Sequence, residues 1–474
     1  MAVAPPPEHP SDRSSLKDHQ QFIDDILHDK SWSESTKTKS FFDKLPAEIL
    51  HQILSYLPAQ DLARVSITCH VLAEHGSNDR LWANLVNSHL PFPISDPGPF
   101  DSFRRLYLAH ISYWFIPQYK IWFADNEHTG NIILARYDNR RGVIEAYRLV
   151  ADRGAPQLHL WLANPEVMIQ AFDPTIALWL DDPVLFLKDP DPSDPTAAAQ
   201  AWMAERRMSM AAETQYIFSS LLLCPPELPR DSNVSSDQVW PPRTIPTDKY
   251  VLRETAGNPV RQPKSPSQVS EAAFRVRRWT NFRLALEPGH NEALLTYATL
   301  DPSLYTPTKE KPYQGIWVGD YSAHGCEFLL VLQRERSGPP DSESGIVDRP
   351  SNEGDIKEGT EECHDQTSDN KIGQSGGLVA IKLTGDPNVP RGEVTFVAND
   401  IGPGGLLRVA DEAPFEGARI VRCTGHVAGI GFRDDTFIAS QLILISPDYM
   451  GHYWEEMGHV SYYRRVDIDA LLQT

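Results

Sequence analysis

Among the residues able to do chemistry, His324 and Cys326 are the first to weigh, a base and a nucleophile two positions apart. Nucleophilic catalysis needs the base within reach of the thiol and a third group to orient it. Two apart on a strand, the side chains share a face, but no orienting partner accompanies them. No H-E-x-x-H pair, no P-loop and no G-x-G-x-x-G opening a helix occurs. The 16 histidines show no pair at ligand spacing with a third ligand nearby, and the five cysteines (Cys69, Cys224, Cys326, Cys363, Cys423) form no C-x-x-C. The expectation is a chain without catalysis, cofactor or metal, in a reducing compartment, cytoplasmic or nuclear or both.

Composition narrows the partners. With 44 Lys+Arg against 64 Asp+Glu the net charge is −20, so the basic footprint that phosphate contacts require is missing and nucleic acid is not an expected partner. Mean hydropathy is −0.38, and no apolar run approaches the ~20 residues of a membrane helix, so no membrane is expected either. The opening MAVAPPPEHPSDRSS has no basic stretch followed by an apolar one, so no secretory leader is expected. At 474 residues the chain has room for two to four domains.

The elements that must position any site fall into two kinds. Residues 1–40 are polar with three consecutive prolines and read as a disordered arm. In FFDKLPAEILHQILSYLPAQDL the apolar residues Leu45, Ile49, Leu50, Ile53, Leu54 and Leu57 recur at helical spacing, with Pro46 suited to a first turn and Pro58 ending the run. Asp61 can cap a second helix carrying Leu62, Val65, Cys69 and Leu72, ended by Gly76; Ser77 or Asn78 can cap a third, with Leu81, Trp82, Leu85 and Val86. Residues 100–119 read as one further amphipathic helix within a 91–119 linker. From Lys120 the period turns toward two, with strand-like runs KIWFA, IILARY, VIEAYRL, LHLWLA and TIALWL, then GIWVGDY, EFLLVLQ, LVAIKL, EVTFVA, ARIVRC, TFIASQLILI and HVSYYRRV. Between them, 195–224 has a helix-forming composition. Residues 225–270 hold nine of the 39 prolines, and 334–377 has eleven acidic and five basic residues and no aromatic one; both read as loop insertions, the second disordered. The fold class expected is α+β: three small helices, then a mainly antiparallel β-barrel over 120–470, since closure removes exposed edges.

The helical string FDKLPAEILHQILSYLPAQDLARVSITCHVLAEHGSNDRLWANLV resembles an F-box: Leu-Pro at the start, paired aliphatics, Leu-Pro before the second helix, Asp-Leu, a mid-helix Cys and a closing Leu-Trp. That resemblance implies docking onto the adaptor Skp1 and, through it, onto the cullin and RING protein of a ubiquitin ligase. The residues it implicates are Leu45, Pro46, Ile49, Leu50, Ile53, Leu54, Leu57, Leu62 and Val65, some of which must instead form the module's own core. GIWVGDYSAHGCEFLLV, AIKLTGDPNVPRGEVTF, TGHVAGIGF and HYWEEMGHVSYYRRV are similar, in order, to the β domain of F-box proteins of the cyclin-D1-binding type. The resemblance implies a non-catalytic receptor whose barrel captures a short C-terminal segment of a protein to be ubiquitinated. The candidate substrate residues are Trp317, Tyr321, His324, Gly325, Thr384, Asp386 and Trp454. Gly, Asp and Pro at these strand ends also suit tight turns, and the tryptophans suit a core. A second reading is a barrel with an apolar interior that carries a small molecule.

Overall fold

The computed structural model describes residues 41–126, 128–155, 158–162, 164–188, 204–210, 217–225, 263, 268–280, 292–335 and 375–473. The expected arm at 1–40 and most of the two insertions, 226–262 and 336–374, lie outside the described residues. The chain divides into two compact units: one holds residues up to 150, 177–300 and 467 onward, the other 151–176 and 301–466.

The first unit opens with α1 (Ala47–Leu54), α2 (Ala59–Ser66), α3 (His70–Gly76) and α4 (Asp79–Asn87). Pro46 and Pro58 stand just before α1 and α2, their carbonyls accepting the N–H groups of Leu50 and Leu62 at 3.2 and 2.9 Å. Asp61 lies inside α2 and does not cap it. The expected second helix is two helices, broken at residues 67–69, where Ser66 and Thr68 hydroxyls bond back to the Leu62 and Val65 carbonyls, each at 2.7 Å. Such back-bonding offers the backbone an alternative to helix continuation. Asn78 caps α4 by accepting from the Arg80 N–H at 2.9 Å. The expected single helix over 100–119 is likewise two, α5 (Phe103–Ala109) and α6 (Phe115–Tyr119). Between them the His110 ring is fully buried against Phe100, Trp114 and Tyr137, with Nε2 3.2 Å from the Gly142 carbonyl.

The same unit carries a nine-stranded sheet in the order 175–178, 143–152, 131–138, 121–124, 292–298, 273–280, 217–223 and 205–208, with 185–188 paired to 143–152. Trp122, Phe274 and Tyr297 from its centre join the helices' Leu50, Leu54, Trp82 and Leu106 in one core. The helix expected over 195–224 is replaced, where described, by strands Glu205–Met208 and Ile217–Leu223. Leu221, Leu222 and Leu223 are all buried, and a run buried on both faces carries no alternation to distinguish strand from helix.

The expected single barrel over 120–470 is therefore two sheets, and the closed barrel lies wholly within the second unit. Its eight strands are β1 (Gly315–Asp320), β2 (Cys326–Arg334), β3 (Gly377–Lys382), β4 (Val394–Ala398), β5 (Arg419–Gly429), β6 (Arg433–Ser446), β7 (Tyr449–Trp454) and β8 (His459–Arg465). Each pairs antiparallel with the next, and β8 closes on β1 through Trp317↔Arg465, Val318↔Arg464 and Gly319↔Tyr463. Gly319 is required there, since a Cβ would meet the Tyr463 ring at 2.6 Å. Strand Leu406–Val409 adds to β5, and the hairpin Leu158–Leu160 with Met168–Gln170 adds to β8.

Alternate residues point inward and fill the barrel: Trp317, Leu329, Ala380, Phe396, Leu442, Met450 and Tyr463 are fully buried in one cluster. The Trp317 indole donates to the Tyr313 carbonyl at 3.0 Å and lies under the Arg465 guanidinium, 5.5 Å from the ring centre. Trp317→Ala is expected to lower the stability of the barrel by about 3–5 kcal/mol in chemical denaturation. A loss below about 1 kcal/mol would show that this indole is not a core residue.

Candidate functional site

The first candidate surface is the outer face of α1. Leu50, Leu54 and Leu62 are buried and belong to the module's core, and Leu45, Leu57 and Val65 are half-buried against it. Pro46, Ile49 and Ile53 are exposed, the isoleucines 44% and 50%. Sequence reasoning missed two neighbours, Tyr56 at 78% and Ile67 at 51% exposure. Ile49 and Ile53 follow the i, i+4 spacing of one helical face, and Tyr56 stands in the turn just past the helix end. A bracing contact sets that helix against α3 and α4: His75 Nδ1 lies 3.0 Å from His51 Nε2, and Asn78 Nδ2 lies 3.3 Å from the same nitrogen.

The second candidate surface is one end of the barrel. Antiparallel pairing brings the β1–β2, β3–β4, β5–β6 and β7–β8 turns to the same end. Tyr321, His324, Gly325, Thr384, Asp386 and Trp454 therefore gather there, and Trp317 lies deeper in the filled interior. They do not share one role. His324 is exposed on a short 3-10 turn, and Gly325 follows it at φ +84° with open space where a Cβ would stand. Thr384 is a structural clip whose Oγ1 accepts from the Phe328 N–H at 2.8 Å. The buried Trp454 indole donates to Ser461 Oγ at 3.2 Å and packs on His452.

Asp386 belongs to a buried charge cluster that sequence reasoning did not anticipate. Lys382, pointing into the barrel from β3, puts Nζ 2.6 Å from both Asp386 Oδ2 and Glu327 Oε2, and 4.3 Å from the Tyr321 ring centre. The other Asp386 oxygen accepts from the N–H groups of Asn388 and Val389 at 2.6 and 2.8 Å, folding the β3–β4 turn. The Asn388 amide then donates to the Ala428 carbonyl at 2.9 Å, and the Gly431 N–H to the Pro387 carbonyl at 2.8 Å. Tyr321 donates to Thr395 Oγ1 at 3.1 Å. Burial pushes the Glu327 carboxyl up to about 8, against the pull of Lys382. Burial alone would raise Asp386 too, but hydrogen bonds from Glu327, Lys382 and the Val389 N–H outweigh it and hold it at about 2. Near neutrality the cluster is a Lys⁺–Asp⁻ pair with a protonated Glu327, the arrangement that leaves no net charge in the interior. Among the described residues no group of three or more His, Cys, Asp and Glu side chains could hold a metal, and no helix is long and apolar enough to cross a membrane.

A helical module with an unpartnered apolar face, followed along the chain by a closed antiparallel barrel with polar turns at one end, defines a two-part docking and recognition protein. Residues 42–88 match the F-box-like family model and residues 297–470 match the Cyclin D1 binding domain model. The chain thus carries an F-box-like domain followed by a cyclin-D1-binding domain. It is also 29% identical, over 174 residues, to the protein EXECUTER 2, chloroplastic, of Arabidopsis thaliana; the match covers 36% of this chain and 23% of that protein. F-box domains bind Skp1 in Skp1–cullin–F-box complexes, and this domain supports a substrate-receptor role in general.

The cluster makes a pH-dependent claim. Glu327 is raised in the folded state, so between the ordinary carboxylate range and about 8 the folded chain holds a proton that the unfolded chain has released. Its contribution falls as pH rises through that window. Glu327→Gln is expected to match the wild-type melting temperature near pH 5 and exceed it near pH 8.5. Equal melting temperatures at both values would show that Glu327 is not held protonated. Asp386 is depressed, so its contribution is present above the ordinary carboxylate range and is lost in acid.

Proposed function

We propose that this chain is the substrate-recognition subunit of a Skp1–cullin–F-box ubiquitin ligase, acting in the cytoplasm, the nucleus or both. The observation that carries the reading is the exposed set Ile49, Ile53 and Tyr56 on a module whose Leu50, Leu54, Leu62, Leu72 and Leu81 are buried. Apolar faces of this kind are covered by a partner. The chain performs no chemistry of its own in this reading. Docking on Skp1 through the F-box module and holding a protein through the barrel raises the effective concentration of substrate lysines at the charged ubiquitin carrier.

The barrel end bearing His324, Gly325 and the Asp386 turn captures the degron, a short C-terminal segment of the substrate. Support comes from the exposed His324 and the open backbone at Gly325, which leave a peptide end room to approach. Trp317 and Trp454 act in this reading as buried supports beneath that surface. The small-molecule carrier reading needs an apolar cavity at the barrel centre, and Trp317, Phe396, Met450 and Tyr463 fill that space.

Ile53→Asp is expected to lower Skp1 affinity more than tenfold with the melting temperature of the chain unchanged, as for a central interface residue. Leu54→Asp is expected to lose both binding and folding, because Leu54 is core. Retained Skp1 co-purification with Ile53→Asp would overturn the docking assignment. The recognition end is tested by pull-down of the chain, co-expressed with Skp1, against C-terminal peptides with free or amidated ends. Enrichment of one class of ends, lost on His324→Ala, supports terminus capture. Skp1 binding without any enriched end overturns it.

A further inference from the structure

The β5–β6 hairpin extends past the barrel end, and its tip is held in an unusual conformation. Gly431, Phe432 and Asp434 all have left-handed backbones, at φ +80°, +54° and +52°. For a bulky residue such as Phe432 this is strained and persists only when surrounding contacts impose it. Ile430 and Phe437 are exposed on the same tip. The tip is held from the β3–β4 turn by the Asn388–Ala428 and Gly431–Pro387 hydrogen bonds, and from within the hairpin by the ring of His426.

Both nitrogens of that ring face acceptors: Nδ1 lies 2.8 Å from the Val394 carbonyl oxygen and Nε2 lies 3.0 Å from Asp435 Oδ2. A carbonyl and a carboxylate only accept, and a neutral imidazole carries one N–H, so both contacts are hydrogen bonds only when the ring carries two protons. The ring lies flat on Phe437 at 4.4 Å and edge-on to Phe432 at 5.7 Å, and a positive charge strengthens the contact with the Phe437 face. The His426 side chain is only 2% exposed, so water has little access to the ring itself, whereas the Asp435 carboxylate is half-exposed. Asp435 is the charged group in contact with it; on the elements that touch the ring, the charged residues nearest in sequence are Asp434 and Arg433 on the hairpin and Arg391 and Glu393 before Val394. Arg433 is turned away, its Nε donating to the Ile430 carbonyl at 3.0 Å. His452, inside the barrel, is the contrast. It faces the Ser440 hydroxyl at 2.7 Å, which can donate or accept, and burial pushes it down to about 3, so it stays neutral.

We propose that His426, as a doubly donating imidazolium, is the positioning residue that locks the hairpin tip 428–437, and that losing a proton from it frees the tip and weakens substrate capture at this end of the barrel. The lock itself stands on the hairpin geometry; its consequence for capture rests on the recognition reading above. A neutral ring can donate to only one of the two acceptors, and the half-exposed Asp435 carboxylate is the one able to turn away into water. Strain at Phe432 then has a route to relax.

Hydrogen exchange on the full chain with Skp1, corrected for intrinsic rate, is the test. Protection of residues 428–437 is expected to be about tenfold higher at pH 6 than at pH 8 in the wild type. His426→Asn is expected to be poorly protected at both values. Asp435→Asn is the diagnostic variant: its amide can donate to a neutral Nε2, so protection should be high at both pH values. Equal wild-type protection at pH 6 and pH 8, or an Asp435→Asn variant that keeps the pH response, overturns the lock. The same C-terminal peptide library at both pH values separates the two claims. No enriched peptide at either pH counts against the recognition reading alone, whereas equal enrichment at both with a responsive tip overturns the coupling.

Discussion

Closure of β8 onto β1 is the constraint on which the second unit depends. An open sheet of eight strands would leave two rows of unpaired N–H and C=O groups, and pairing the first strand with the last removes both. Closure also fixes what must stand at the seam. Gly319 opposes Tyr463 because no Cβ fits between the backbone and that ring, and the room so made lets Tyr463 reach Phe396 at 5.4 Å. The turns at one end then follow from strand count and antiparallel order alone. Gathering Tyr321, His324, Asp386 and Trp454 is thus a consequence of topology before it is a matter of recognition.

Inside that closed surface lies a cluster of buried charge that is balanced where it stands. Lys382, Glu327 and Asp386 are buried together, and an isolated ion in such surroundings would cost several kcal/mol. The cluster meets this by splitting its carboxyls, one protonated and one ionised beside the ammonium. The ionised one also folds the β3–β4 turn. Through the Asn388 and Pro387 hydrogen bonds that turn reaches the β5–β6 hairpin, so interior electrostatics and the outermost loop share one chain of contacts.

Much of this architecture was legible from residue spacing. The helical rhythm of Leu45–Leu57, the Asn78 cap and most strands of both sheets stand where periodicity and turn signals place them, because each is decided by local pattern. What failed to show was decided by tertiary contact. The break in the second helix turns on where two hydroxyls hydrogen-bond, and the break at His110 on a ring buried among aromatics from distant segments. Strands Ile217–Leu223 and Glu205–Met208 hide in a helix-like composition, the first because its Leu221–Leu223 run is buried throughout and loses its alternation. The division of the β region into two sheets was invisible for the same reason: pairing partners such as 121–124 and 292–298 are far apart in sequence.

The candidate sites divide along the same line. Family resemblance supplied the set of residues at α1 and at the barrel end, but exposure decides among them, and exposure is a property of the packed module. Leu50 and Ile49 are neighbours of nearly equal hydrophobicity. One is core and the other surface only because α3 and α4 cover one side of α1, a placement braced by His51, His75 and Asn78. Asp386 reads in sequence as a turn residue or a ligand. The structure makes it a turn residue whose second oxygen holds a buried lysine, so its side chain is already committed. Exposed groups at that end include His324 on one turn, Ile430 and Phe437 on another and Met457 on a third. Recognition at this end is therefore built from exposed turns over a committed polar interior, and the interior's role is to hold those turns in place.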